Sequence, residues 1–174
     1  MQQTTSSLGT ESIGKLLLRL AVPTILAQVI NALYTIIDRI YIGHIPGSGT
    51  LALSGIGLSF PIIMLLAAFS MLIGAGGAPQ ASIKLGQKRK EEADAILSQA
   101  IGTLIIFAFV LILFFQITKR PILFAFGASS ATIEYSIDYL SIYLWGTPFV
   151  LFSLGLNPFI TAQGFSRTSM MTML

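Results

Sequence analysis

The sequence predicts an all-helical integral membrane protein with four transmembrane helices and the start of a fifth. Three observations carry this expectation. Of the 174 residues, 54% are hydrophobic and only 10% are charged, whereas an ordinary soluble domain is roughly 25% charged. The apolar residues fall into four runs, each able to supply the about 20 residues that a helix needs to cross a bilayer. Lys and Arg cluster toward the ends of those runs, where they reach the aqueous interface.

Composition also excludes several kinds of chemistry. There is no cysteine, so disulfides, thiolate metal sites and cysteine nucleophiles are ruled out for these residues. The net charge of +3 and the pI near 9.4 do not point to nucleic acid, because the cations form no binding face. His44, the single histidine, follows Gly43 at a helix exit and reads as a surface residue. Glu134 and Asp138 sit at a helix start, where the helix dipole explains acids. With no Ser/His/Asp set and no metal cluster, the expectation is no enzyme, no catalytic residue, no metal and no cofactor. Lys15 and Arg19 before an apolar run resemble a signal peptide, but the run continues past the usual 7–15 residues, so an uncleaved first span is expected.

Residues 1–12 are polar and rich in Ser and Thr, as a cytoplasmic tail would be. They precede an incomplete transmembrane lobe over 13–174. Span 1, about 14–44, is the stretch around which the rest is organised. Thr24, Gln28, Asn31, Thr35 and Asp38 recur at intervals of four, three, four and three. At about 100° per residue they share one narrow helix face. Val22, Leu26, Val29, Ile30, Leu33 and Ile36 cover much of the remainder. An ionised side chain in lipid costs roughly 2.5–3.5 kcal/mol, so Asp38 should face protein or a watery cavity. The stripe reads as a cavity wall with a protonatable group. The plainer alternative is a polar seam that joins helices, but a seam needs amides and hydroxyls, not a carboxylate. Pro23 removes a backbone bond and should bend the span, which membrane helices tolerate.

Pro46 to Gly49 form a turn. Span 2, about 51–80, is rich in small residues and has Pro61 as a bend. Its run Gly74 to Pro79 lacks the preceding strand and the lysine of a phosphate loop, so helix packing or local unwinding is expected. Residues 82–94 read as the main charged loop, with Glu91, Glu92 and Asp94 suited to the first turn of the next helix. Span 3, about 95–117, is aliphatic and aromatic and should face lipid. It is stopped by Lys119, Arg120 and Pro121, and an interfacial connection follows. Span 4, about 134–161, has Pro148 and Pro158 as bends. Tyr135, Tyr139, Tyr143 and Trp145 could stack on an aromatic cation; an interfacial belt is the favoured reading. Asn157 is either a cavity ligand or a partner for the backbone freed by Pro158. A fifth helix begins near Arg167.

Basic residues orient the spans. Seven (Lys15, Arg19, Lys84, Lys88, Arg89, Lys90, Arg167) fall on one side and three (Arg39, Lys119, Arg120) on the other. The positive-inside rule then puts the N-terminus in the cytoplasm of a multi-pass protein of the cell inner (plasma) membrane, with Asp38 toward the outer half.

Three motifs carry a family resemblance. The first is the span-1 proline followed by D-x-x-x-x-G (Asp38 to Gly43). The second is G-A-G-G-A-P-Q-A-S-I-K-L-G (Gly74–Gly86) with K-E-E-A (Lys90–Ala93). The third is L-N-P-F-I-T-A-Q-G-F-S-R (Leu156–Arg167). Together they resemble the multidrug and toxic-compound extrusion (MATE) transporters, from about Ile13 onward. The resemblance implies part of the N-lobe of a protein of about twelve helices in two lobes, which exports cationic or amphipathic compounds in exchange for protons or sodium. It implies that Asp38 takes part in ion coupling, and that Gln28, Asn31, Tyr34, Thr35 and Asn157 line the N-lobe cavity. Alternating access moves one repeat against another, so a missing second lobe or a partner chain is expected to be needed, as for a truncated or split gene. The alternatives are a lipid-linked saccharide flippase of the same superfamily and a small helical module that only binds a partner.

Overall fold

A computed structural model describes residues 12–173; the tail over 1–11, Leu174 and the side chains of Lys15, Leu16, Arg19, Leu20, Thr24, Ser166, Arg167 and Met173 lie outside the described residues. Five helices follow in order: α1 (Ile13–Gly43), α2 (Gly49–Gly86), α3 (Lys90–Ala125), α4 (Ile133–Ala162) and α5 (Ser166–Met173). The first four are long and apolar enough to cross a membrane.

The helices outrun the spans read from hydropathy. α2 has 38 residues and α3 has 36. At 1.5 Å per residue each is about 55 Å long, well beyond the ~30 Å hydrocarbon core. The stretch 82–94, expected as a loop, is therefore mostly helix, and only Gln87 to Arg89 connect α2 to α3. α2 closes with the Arg89 N–H donating to the Lys84 carbonyl (2.9 Å) and the Lys88 N–H to that of Leu85 (3.0 Å). This paired cap needs a left-handed residue, and Lys88 supplies it at φ 61°. Gly127 and Gly164 hold the same place after α3 and α4, at φ 96° and 86°. α3 also runs through Pro121 to Ala125, beyond the expected stop; near an interface, water can satisfy the carbonyl that the proline leaves free. Pro23, Pro61, Pro148 and Pro158 likewise lie inside continuous helices.

The core is α2, α3 and α4. Between α2 and α4, Gly55 meets Ser136, Ser70 bonds Leu151, Gly74 meets Gly155, and Gly77 meets Phe159. The near-constant offset between partners shows that these two helices run parallel and in register. Their shared stripe on α2 (Gly55, Ser59, Ile62, Leu66, Ser70, Gly74) repeats every three or four residues and is buried throughout. Lipid tails are as apolar as leucine, so close packing of small residues and interhelical hydrogen bonds must supply the attraction. The Ser70 hydroxyl donates to the Leu151 carbonyl at 3.2 Å. The Gly74–Pro79 run is unbroken helix, which resolves its two readings in favour of packing. α3 packs Leu104, Ala108, Leu111 and Phe115 inward and presents Ile106, Phe109 and Ile117 outward, so at most one face of it is left for lipid rather than the whole.

A Cβ built on Gly74 would lie 2.8 Å from the Gly155 carbonyl oxygen, whereas one on Gly76 meets nothing within 4 Å. Gly74→Val is expected to lower stability by about 1–3 kcal/mol through overpacking. Gly76→Ala should be neutral or better, since alanine favours helix by about 0.5–1 kcal/mol. Thermal unfolding in detergent checks the contrast; equal midpoints for the two variants would contradict this seam.

α1 stands apart from the core. Only 6% of its apolar stretch is buried, against 22% in α2 and 28% in α3 and α4. It touches α2 and α5. At its C-terminal end, Gly43 lies against Leu53, and the Arg39 guanidinium sits 5.9 Å from the Phe60 ring centroid.

Candidate functional site

The polar stripe lies along the exposed side of α1. Gln28, Asn31, Tyr34, Thr35 and Asp38 are all exposed, and Ala27 is the buried α1 side chain among those described. Asp38 is expected to face protein or a watery cavity; within these residues the carboxylate is uncovered, because α1 packs at the edge of the α2–α3–α4 core. The Thr35 hydroxyl turns back on its own helix and donates to the Asn31 carbonyl at 3.0 Å. Among the described residues no ion pair reaches Asp38, and its neighbour Arg39 is directed to Phe60 instead. Adjacent helix residues point about 100° apart, which keeps the two charges from pairing.

Near the Asp38 end of this stripe is a feature that sequence reasoning missed. The phenol of Tyr139 on α4 lies within electrostatic reach of Asp38, Arg39 and Tyr34. Tyr139 stacks with Tyr143, with ring centroids 6.3 Å apart and planes at 28°. Tyr135 is one turn before Tyr139 on the same face, while Trp145 points elsewhere and is 71% exposed. The four aromatics of span 4 are thus divided. Three tyrosines share one face of α4, where the base of Tyr135 lies against Gly55 of α2, and Trp145 is exposed. The i, i+4 spacing of the tyrosines was visible in the sequence, but their partner helix was not.

Asn157 is not on this surface. Its side chain is buried between α4 and α5. The amide nitrogen donates to the Ser169 carbonyl (2.9 Å) and the Thr172 hydroxyl (3.1 Å), and the amide oxygen accepts from the Ser169 hydroxyl (2.6 Å). A shallow groove of about 240 Å³ between α2 and α3, lined in part by Gln80, Gln99 and Thr103, contains none of the stripe residues. Around the α2–α3 turn, Glu92 bridges Lys84 at 2.6 Å and Arg89 at 3.2 Å. His44 caps α1, its exposed ring Nδ1 2.7 Å from the Ile40 carbonyl oxygen.

The family profile described as MatE matches residues 23–174. The chain belongs to the MatE family. Among its relatives, the multidrug export protein MepA of Staphylococcus haemolyticus (strain JCSC1435) is 29% identical over 163 residues, covering 94% of this chain and 36% of that protein. The probable multidrug resistance protein YoeA of Bacillus subtilis (strain 168) is 26% identical over 157 residues, covering 88% and 33%. A crystal structure of MATE in complex with MaD3S superposes with a TM-score of 0.88 at 21% identity, over 99% of this chain and 38% of that one. The outward-facing conformation of a multidrug resistance MATE family transporter of the MOP superfamily gives 0.86 at 20%, over 98% and 37%. These structural likenesses establish the fold. This MatE chain spans about a third of the length of the curated relatives it matches. MepA is an export protein rather than an enzyme, and this chain, with four helices long and apolar enough to cross a membrane, is a multi-pass membrane protein of the MatE family.

Proposed function

We propose that these residues are the N-terminal part of a secondary active exporter of cationic or amphipathic compounds, driven by exchange for protons or sodium, with Asp38 as the ion-coupling acid. The observation that carries this reading is the exposed carboxylate of Asp38 on a polar helix face, with no ion pair reaching it among the described residues. A carboxylate so placed can take a coupling ion at one stage of a cycle and a cationic compound at another. Gln28, Asn31, Tyr34 and Thr35 would continue the cavity wall along α1. Asn157 would contribute indirectly. Cells expressing the full-length transporter should accumulate less ethidium than cells without it, and unchanged accumulation would count against the reading.

The proposed site is the cell inner (plasma) membrane, with the N-terminus in the cytoplasm. The support is the seven-to-three division of basic residues, with the exposed Lys88–Arg89–Lys90 turn on the basic side. A cysteine at Lys88 should resist an impermeant thiol reagent added outside intact cells, and one at Ser48 should react. The reverse pattern would invert the orientation.

A further inference from the structure

The eight described residues of α5 are joined to α4 by several side-chain hydrogen bonds. Besides the three bonds of the Asn157 amide, the Thr161 hydroxyl lies 2.8 Å from that of Ser169, and Thr172 bonds the Ser169 carbonyl at 2.8 Å. Asn157 is 8% exposed and Ser169 5%. Polar groups in such a place are costly unless satisfied, and satisfied networks rigidify what they join. α5 in turn touches α1 as well as α4. Ala27 is 2% exposed and lies about 18 Å along the helix from Arg39, far from where α1 meets Phe60 and Leu53. α2 and α5 are the neighbours of α1 that can cover it.

We infer that Asn157 is a positioning residue. With Thr161, Ser169 and Thr172 it clamps α5 to α4, and the clamped α5 holds the cytoplasmic half of α1, and with it the Asp38 helix, against the lobe. Its consequence for export rests on the coupling reading of Asp38; the clamp itself does not. The sequence offered cavity contact or backbone repair for this asparagine, and the network is a third role.

The test uses the full-length transporter with spin labels at Leu18 on α1 and Ser98 on α3, and a control pair at Met64 on α2 and Phe109 on α3. All four positions are exposed. Asn157→Leu should broaden the Leu18–Ser98 distance distribution while the Met64–Phe109 distribution stays sharp. Export should fall roughly tenfold, the scale set by leaving buried partners unsatisfied. Thr172→Val should give a smaller change of the same kind and add little on top of Asn157→Leu, as members of one network do. If Asn157→Leu broadens both pairs, the lobe has come apart and Thr172→Val alone decides. A sharp Leu18–Ser98 distribution in Thr172→Val would then overturn the clamp. So would a sharp distribution in Asn157→Leu with export lost, which would mean direct cavity contact. Should Asp38→Asn export normally while Asn157→Leu still loosens α1, the coupling reading fails and the clamp stands.

Discussion

Asp38→Asn in the full-length transporter is expected to reduce drug efflux to the level of cells lacking the protein, with membrane expression retained. Asparagine keeps the size and polarity of the side chain but can neither hold and release a proton nor attract sodium by charge. The fold has no stake in the carboxylate. Asp38 is exposed, no ion pair reaches it among the described residues, and its helix is the least packed of the four long ones. Removing a charge from a membrane span relieves a cost rather than adding one. Asp38→Glu should retain partial efflux, lower by roughly tenfold, because it keeps the charge but displaces it by one methylene. Efflux and surface expression measured in parallel separate loss of coupling from loss of protein. Parental efflux in the Asn variant would reduce Asp38 to part of a polar seam.

Residues 1–174 alone, purified into liposomes, are expected to show no gradient-driven movement of ethidium. Exchange by alternating access requires one repeat to move against another around a shared site, and the chain spans 36% of its MepA relative. The exposed stripe of α1 fits this. Asp38, Tyr34 and Tyr139 lie on a surface with protein on one side only, so nothing within these residues closes it from water on either face of the membrane in turn. The expected effect is complete loss. Uptake by the 174-residue chain at the rate of the full-length protein would contradict the proposal that a second lobe or partner is needed.

What was legible in the sequence follows from what hydropathy can report. The four spans, the acids in the first turns of α3 and α4, and the small-residue run at Gly74 are local patterns, and each reappears in the structure. The helix ends were less legible. Lys84 and Glu92 look like loop charges, yet they ride on helices that extend past the bilayer and pair at 2.6 Å. Residues far apart in the chain were not legible at all. Nothing in the pattern of Gly74 or Gly155 announces that α2 and α4 run parallel in register. Nothing near Tyr139 names Asp38 as a group within its electrostatic reach. Asn157 could be read only against Pro158 beside it, because its partners Ser169 and Thr172 belong to the next helix.

The most direct measurement of the central claim is ion movement itself. Full-length transporter in liposomes carrying a proton or sodium gradient should move ethidium against its own gradient, and added ethidium should drive the coupling ion the other way. With Asp38→Asn, both fluxes should vanish together. Coupled ion and ethidium fluxes that persist at the parental ratio in that variant would show that the coupling ion is carried elsewhere.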